Sequence, residues 1–83
     1  MARTFHLTIA AVGENLFDGE VYAATFPGTE GTMTVLAGHE AFVTTLETGT
    51  ARIQEAQGGA FSDIPLERHG ILEVSSNQAT VIL

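Results

Sequence analysis

Three histidines, three serines and ten carboxylates are the side chains of this chain that can move a proton, attack a carbonyl carbon or hold a metal. Their spacing supports none of these chemistries. His6, His39 and His69 lie far apart and form no local pair of the H-x-x-x-H kind, and cysteine is absent, so the usual zinc-ligand spacings are missing. Ser62, Ser75 and Ser76 do not sit in a G-x-S-x-G elbow, and Ser75 and Ser76 read as turn residues. Asp18, Glu20, Glu67 and Glu73 can be assembled into an acid/base set, but no spacing rule singles them out and a solvated strand face explains them as well. The glycines of "PGTEGTMTVLAG" lack the lysine that a phosphate-binding loop needs, and all three basic residues of the chain are arginines. The expectation is therefore no catalytic residue, no metal and no cofactor. His39, at the corner between two apolar runs, is expected on a contact surface.

The elements that would position that surface follow from the hydrophobic period, which is two. In "TFHLTIA", Phe5, Leu7 and Ile9 share one face while Thr4, His6 and Thr8 share the other, as in a strand with one side buried. "EVYAATF" repeats the pattern less cleanly, setting Val21, Ala23 and Thr25 against Tyr22, Ala24 and Phe26. "TMTVL" places Met33 and Val35 together, and "TARI" and "ATVIL" are rich in β-branched residues. "HEAFVTTLE" has apolar residues about one helical turn apart, but its β-branched threonines and the early Gly49 favour a strand. Turn signals recur between the runs at Asp18-Gly19, Pro27-Gly28, Gly38, Gly49, Gly58-Gly59 and Ser75-Ser76-Asn77. Two hairpins are expected, "ARIQEAQ-GG-AFSDIPL" and "GILEV-SSNQ-ATVIL". Pro65 removes a backbone donor and belongs on an edge strand or at a strand break. Short strands at such spacing define an all-β domain over residues 1–83, a sandwich or a barrel.

Size and charge narrow the function classes. An 83-residue chain forms one core and buries roughly 60 to 65% of its unfolded surface, so a deep pocket is hard to build beside that core. The formal charge of −7 argues against nucleic acid and against an anionic lipid surface, both of which need clustered cations. The opening "MARTFHLTIAAV" is interrupted by Thr4, His6 and Thr8 and carries no cleavage signature, so it reads as mature structure. No apolar run approaches the about 20 residues of a membrane helix.

Taken together, "FHLTI", "LFDGEV", "PGTEGTMTVLAGHEAFVTTLETGTARI" and "HGILEVSSNQATVIL" resemble the N-terminal domain of the F1Fo ATP synthase epsilon subunit over nearly the whole chain. The matching elements are the opening strand, Phe17 and Gly19 before Glu20-Val21, the "PG-x-x-G" loop, "GH" at Gly38-His39, the Gly49 turn and "GILEV" from Gly70. The resemblance implies a flattened sandwich of two antiparallel sheets holding about ten short strands. It implies a non-catalytic central-stalk subunit that couples rotation of the membrane ring to ATP synthesis by docking on the gamma subunit and on the polar loops of the c-ring. Such a subunit lies peripherally at the cytoplasmic face of the bacterial membrane, within the F1 sector. The gamma-facing residues implied are Gly38, His39, Glu40, Ala41, Phe42 and Thr44, with Phe42 expected mainly inside. Those facing the c-ring are Gly28, Thr29, Glu30, Gly31 and Thr32. Many family members read "GHAP" where this chain has "GHEAF", and a small residue where it has Arg68-His69. Longer members continue into two C-terminal helices that restrain ATP hydrolysis. This chain stops at Leu83, so the expectation is a short form without them. The alternatives are a free-standing module binding a peptide or carbohydrate in an aromatic groove, and a small hydrolase with converging Ser, His and carboxylate groups.

Overall fold

A computed structural model describes residues 3–83 of the chain. Nine strands follow one another: β1 (Phe5–Ala11), β2 (Glu14–Val21), β3 (Ala23–Gly28), β4 (Gly31–Leu36), β5 (Phe42–Leu46), β6 (Gly49–Gln54), β7 (Phe61–Leu66), β8 (Gly70–Ser75) and β9 (Gln78–Ile82). The period-two reading holds where it was clean. Phe5, Leu7 and Ile9 of β1 are buried, and so is Val35 of β4. It changes phase within "EVYAATF", where Val21, Ala24 and Phe26 are the buried residues. The chain bends at Tyr22, which ends β2 and restarts the alternation in β3. The Tyr22 N–H donates to the Gln54 carbonyl across this bend at 2.8 Å. "HEAFVTTLE" supplies strand β5, as its threonines favour.

The strands form one sheet in the order β2-β1-β9-β8-β5-β3-β6-β7, with β4 paired to β3. This corrects the expected flattened sandwich of two separate antiparallel sheets. The sheet is continuous and curls into a single nearly closed barrel. Two features account for the difference. At one corner β5 joins β3 through the Gly28↔Leu46 pair, and backbone bonds from Glu47 N–H to Pro27 O (2.8 Å) and from Thr29 N–H to Thr45 O (3.2 Å) stitch it shut. At the other side β9 returns beside β1 in parallel, pairing His6–Ala10 with Gln78–Ile82, so the pairing is not antiparallel throughout. The strand path opens between β2 and β7. A cleft of about 270 Å³ lies there, lined among others by Glu14 and Leu16 on one side and by Pro65 and Arg68 on the other. Pro65 sits in β7, which pairs with β6 alone and so is an edge strand, as its missing donor predicts.

Both expected hairpins form, β6–β7 and β8–β9. In the second the left-handed turn is made without glycine, by Ser76 (φ 51°) and Asn77 (φ 61°). The core runs the length of the barrel: Phe5, Leu7, Ile9, Phe26, Leu46, Ile53, Leu66, Leu72 and Val81 are all essentially inaccessible to water. No buried polar side chain occurs among the described residues. Each fully buried aliphatic or aromatic side chain contributes about 1.5–3 kcal/mol relative to exposure.

Candidate functional site

The turn between β3 and β4 is built by "PGTEGT". Gly28 and Gly31 face each other as the last pair of the ladder, and a Cβ on Gly28 would come within 2.7 Å of the Gly31 carbonyl oxygen. Glycine is therefore required for the chain to reverse this tightly, with Thr29 and Glu30 at the exposed tip. Thr32 pairs with Pro27 just inside the turn. The Thr29 hydroxyl meets that of Thr45 at 2.9 Å, tying the tip to β5.

Gly38, His39, Glu40 and Ala41 form the exposed connection from β4 to β5. Gly38 has φ 81°, and its N–H donates to the Asn77 side-chain carbonyl at 3.3 Å. Asn77 also donates from Nδ2 to the Thr4 carbonyl at 2.7 Å, so one side chain from the β8–β9 turn positions the start of the chain and the histidine corner together. His39 donates from its backbone to Leu36 O (3.2 Å) and from Nδ1 to Glu40 O (3.1 Å). Its ring lies 4.9 Å from that of Phe42, tilted by 52°. Phe42 is half-buried, packing against the edge of the core without belonging to it.

The fold brings part of the two residue sets together. Thr29 and Glu30 from the turn and Thr44 from β5 line one open groove of about 460 Å³, with Val43, Thr45 and Ile71. His39, Glu40 and Ala41 precede β5 and so lie at its other end. A five-residue strand separates its ends by about 14 Å, which makes β5 the spacer between the two surfaces. The outward residues of β5 are Val43 and Thr45, whereas Phe42 and Thr44 are half-buried. Val43, with 66% of its surface exposed, and Ile71, with 49%, were not among the residues picked from sequence. The alternation of β5 inward from buried Leu46 is the signal that points to Val43.

The chemistry-bearing side chains do not converge. His6 sits on the outer face of β1 between two carboxylates of β2, with Nε2 on Asp18 and Nδ1 on Glu20 at 3.1 Å, and Thr4 also donates to Glu20 at 3.0 Å. The hydrogen bond to Asp18, and then that to Glu20, raises the His6 pKa above its ordinary value. The carboxylates approach opposite nitrogens, so the trio does not enclose a common point. Glu73 lies on β8 opposite Val43, and Glu67 lines the cleft at the barrel opening. Ser62 is on β7 opposite Ile53, and Ser75 and Ser76 are at the β8–β9 turn. No group of three or more His, Asp or Glu residues able to hold a metal occurs among the described residues. His69 hydrogen-bonds Glu47 through Nε2 at 3.0 Å on the surface.

A continuous all-β barrel with two exposed turns at opposite ends of one strand, and polar groups dispersed over its faces, defines a small all-β domain that presents these residues at its surface. Residues 4–83 match the family model for the ATP synthase delta/epsilon chain, beta-sandwich domain, and the chain belongs to that family. It is 33% identical over 82 residues to the ATP synthase epsilon chain of Herminiimonas arsenicoxydans, covering 99% of this chain and 58% of that protein. The chain thus spans little more than half the length of that relative. Among solved structures it is similar, at 27% identity and a TM-score of 0.84, to a chain in the cryo-EM structure of the Euglena gracilis mitochondrial ATP synthase, covering 95% of this chain and 49% of that one. It shares its fold with a chain of the Tetrahymena thermophila mitochondrial ATP synthase central stalk/c-ring structure, at a TM-score of 0.75 and 15% identity, covering 96% of this chain and 63% of that one.

Proposed function

We propose that this domain is the non-catalytic epsilon-type part of the central stalk of an F-type ATP synthase. It docks on the gamma subunit and the c-ring and holds them in fixed register while the ring turns. The observation that carries this reading is the family match across residues 4–83. Support comes from the epsilon-chain relatives and from the likeness to a chain in a structure of F1 with its c-ring. Gly38, His39, Glu40, Ala41, Phe42 and Thr44 are the proposed gamma contacts, and Gly28, Thr29, Glu30, Gly31 and Thr32 the proposed c-ring contacts. Residues 38–41 precede β5 and residues 28–32 lie beside its far end, with Phe42 and Thr44 in the strand between them, which suits a piece held between two larger partners. The domain would sit peripherally at the cytoplasmic face of a bacterial membrane as part of the F1 sector. A stable interface of this kind removes about 800 Å² per partner from water, and no substrate need be bound or transformed.

The test is binding of the purified chain to the gamma subunit of the same synthase. His39→Glu and Glu40→Lys, both at exposed positions, are expected to leave the fold intact and weaken binding by about tenfold or more. Glu30→Lys is expected to reduce retention on detergent-solubilised c-rings while leaving gamma binding alone. Failure of the unsubstituted chain to bind gamma overturns the reading.

A further inference from the structure

The connection from β4 to β5, residues 37–41, belongs to no strand and carries His39 and Glu40. Its own contacts are local. The His39 N–H reaches back to Leu36 O, the His39 ring bonds Glu40 O next door, and the same ring packs on Phe42. Among the described residues one hydrogen bond ties the connection to a distant part of the barrel, from Gly38 N–H to Asn77 Oδ1 at 3.3 Å, 39 residues away in the chain. A turn held only by its neighbours can swing about its strand ends, whereas a long-range tie fixes where it stands.

Asn77 is itself anchored. Its Nδ2 donates to Thr4 O at 2.7 Å, its carbonyl accepts from the His6 N–H at 3.2 Å, and its backbone is left-handed at φ 61°. Asparagine answers all of these demands at once. Glycine takes the φ but has no amide, aspartate accepts but cannot donate, and glutamine carries its amide one carbon further out. Beside the tie, the Arg3 guanidinium lies against Gly38, whose φ of 81° calls for glycine. The histidine corner therefore rests on residues 3, 4 and 77, from the two ends of the chain.

We propose that Asn77 is a positioning residue for the docking surface at this corner: its side chain fixes Gly38 so that His39 and Glu40 stand in the binding arrangement before a partner arrives. The proposal rests on the proposed function, in which the gamma subunit meets this corner, and gives the role to a residue outside both proposed contact sets. A preset surface loses less freedom on binding. Where the binding arrangement is populated only in part, the apparent affinity falls by that fraction. The tie is exposed and long for an N–H···O bond, so its loss is expected to cost severalfold in affinity rather than orders of magnitude.

The experiment uses the full chain and reads amide hydrogen exchange at Gly38 in the free protein together with affinity for purified gamma subunit. Asn77→Gly, which keeps the turn φ, is expected to leave the urea midpoint nearly constant, to speed Gly38 exchange about fivefold and to weaken gamma binding by about three- to tenfold. Asn77→Asp retains an acceptor for Gly38 and is expected to lose less on both readouts. Ser76→Gly, at the neighbouring turn position of φ 51°, is expected to leave both unchanged. Added to His39→Glu, Asn77→Gly is expected to cost little more, because the contact it positions is already gone. Unchanged Gly38 exchange in Asn77→Gly means that the corner holds itself, and overturns the proposal. Faster exchange with unchanged affinity overturns it too, as does a binding loss that simply adds to that of His39→Glu or follows the urea midpoint across the three turn variants. In all of these cases an unsubstituted chain that binds gamma leaves the stalk reading standing. If the unsubstituted chain does not bind gamma, the stalk reading fails and the docking role of Asn77 with it.

Discussion

His6 shows how a titratable residue can be structural. A neutral imidazole donates through one nitrogen, whereas both nitrogens of His6 face carboxylates, so the protonated ring is the form that satisfies Asp18 and Glu20 together. Its pKa is raised above 6.5 in the folded chain. The stabilisation is fully present below the unfolded value of about 6.5 and is lost as pH climbs through the higher folded value. Urea unfolding at pH 6 and pH 9 is therefore expected to give a larger fall in midpoint for the unsubstituted chain than for His6→Gln, whose profile should be flatter over that window. Equal pH dependence of the two proteins would assign the effect to other groups. The alternation of "TFHLTIA" put His6 on the outer face, but the partners across the sheet depended on the Ile9/Ala10 register shift and the pairing of β1 with β2. Asn77 is similar. Its residue type announces a turn, while its hydrogen bonds to Thr4 and Gly38, far away in the chain, exist only once β9 lies beside β1.

Among the elements, β8 is the one whose sequence motif has the clearest steric cause. A Cβ on Gly70 would lie 2.6 Å from the Ile82 carbonyl oxygen, so the "GILEV" strand packs against β9 only with glycine at its start. Gly70→Ala is expected to destabilise the chain by about 1–3 kcal/mol by forcing β8 and β9 apart, read as a lower midpoint in urea. An unchanged midpoint would mean that the end of β9 moves freely. The choice of strand over helix for β5 was legible from its β-branched threonines, whereas Asp18-Gly19, read as a turn, lies inside β2, where the pair faces Thr8 and Leu7 of β1. The phase change at Tyr22 was not legible, because a bend between two strands leaves each with its own alternation. The same limit hid Val43. Its outward side was set by Leu46 being buried, a fact of packing rather than of residue type.

For the whole molecule, marginal stability is the governing quantity. A chain of this length has about 4–12 kcal/mol in total, and Leu72 lies fully buried at the middle of β8. Leu72→Ala is expected to remove about 2–5 kcal/mol, read as a lower urea midpoint by circular dichroism; an unchanged midpoint would mean that the core closes over the lost side chain. A bound partner should restore much of the loss by mass action, since it binds the folded form alone.

Composition and period by themselves determined an all-β domain with one core, no clustered cations and no spaced catalytic or metal-binding set, because these follow from which side chains exist and how they alternate along the chain. Motif order carried the family resemblance, and the family model matches the same residues. Closure was decided by tertiary structure alone. Whether two layers stay separate or join into one sheet turns on a few backbone bonds at Pro27–Thr29 and Thr45–Glu47 and on the parallel return of β9 beside β1. Backbone amides are alike in every residue but proline, so side-chain alternation does not encode which of them will meet across the fold.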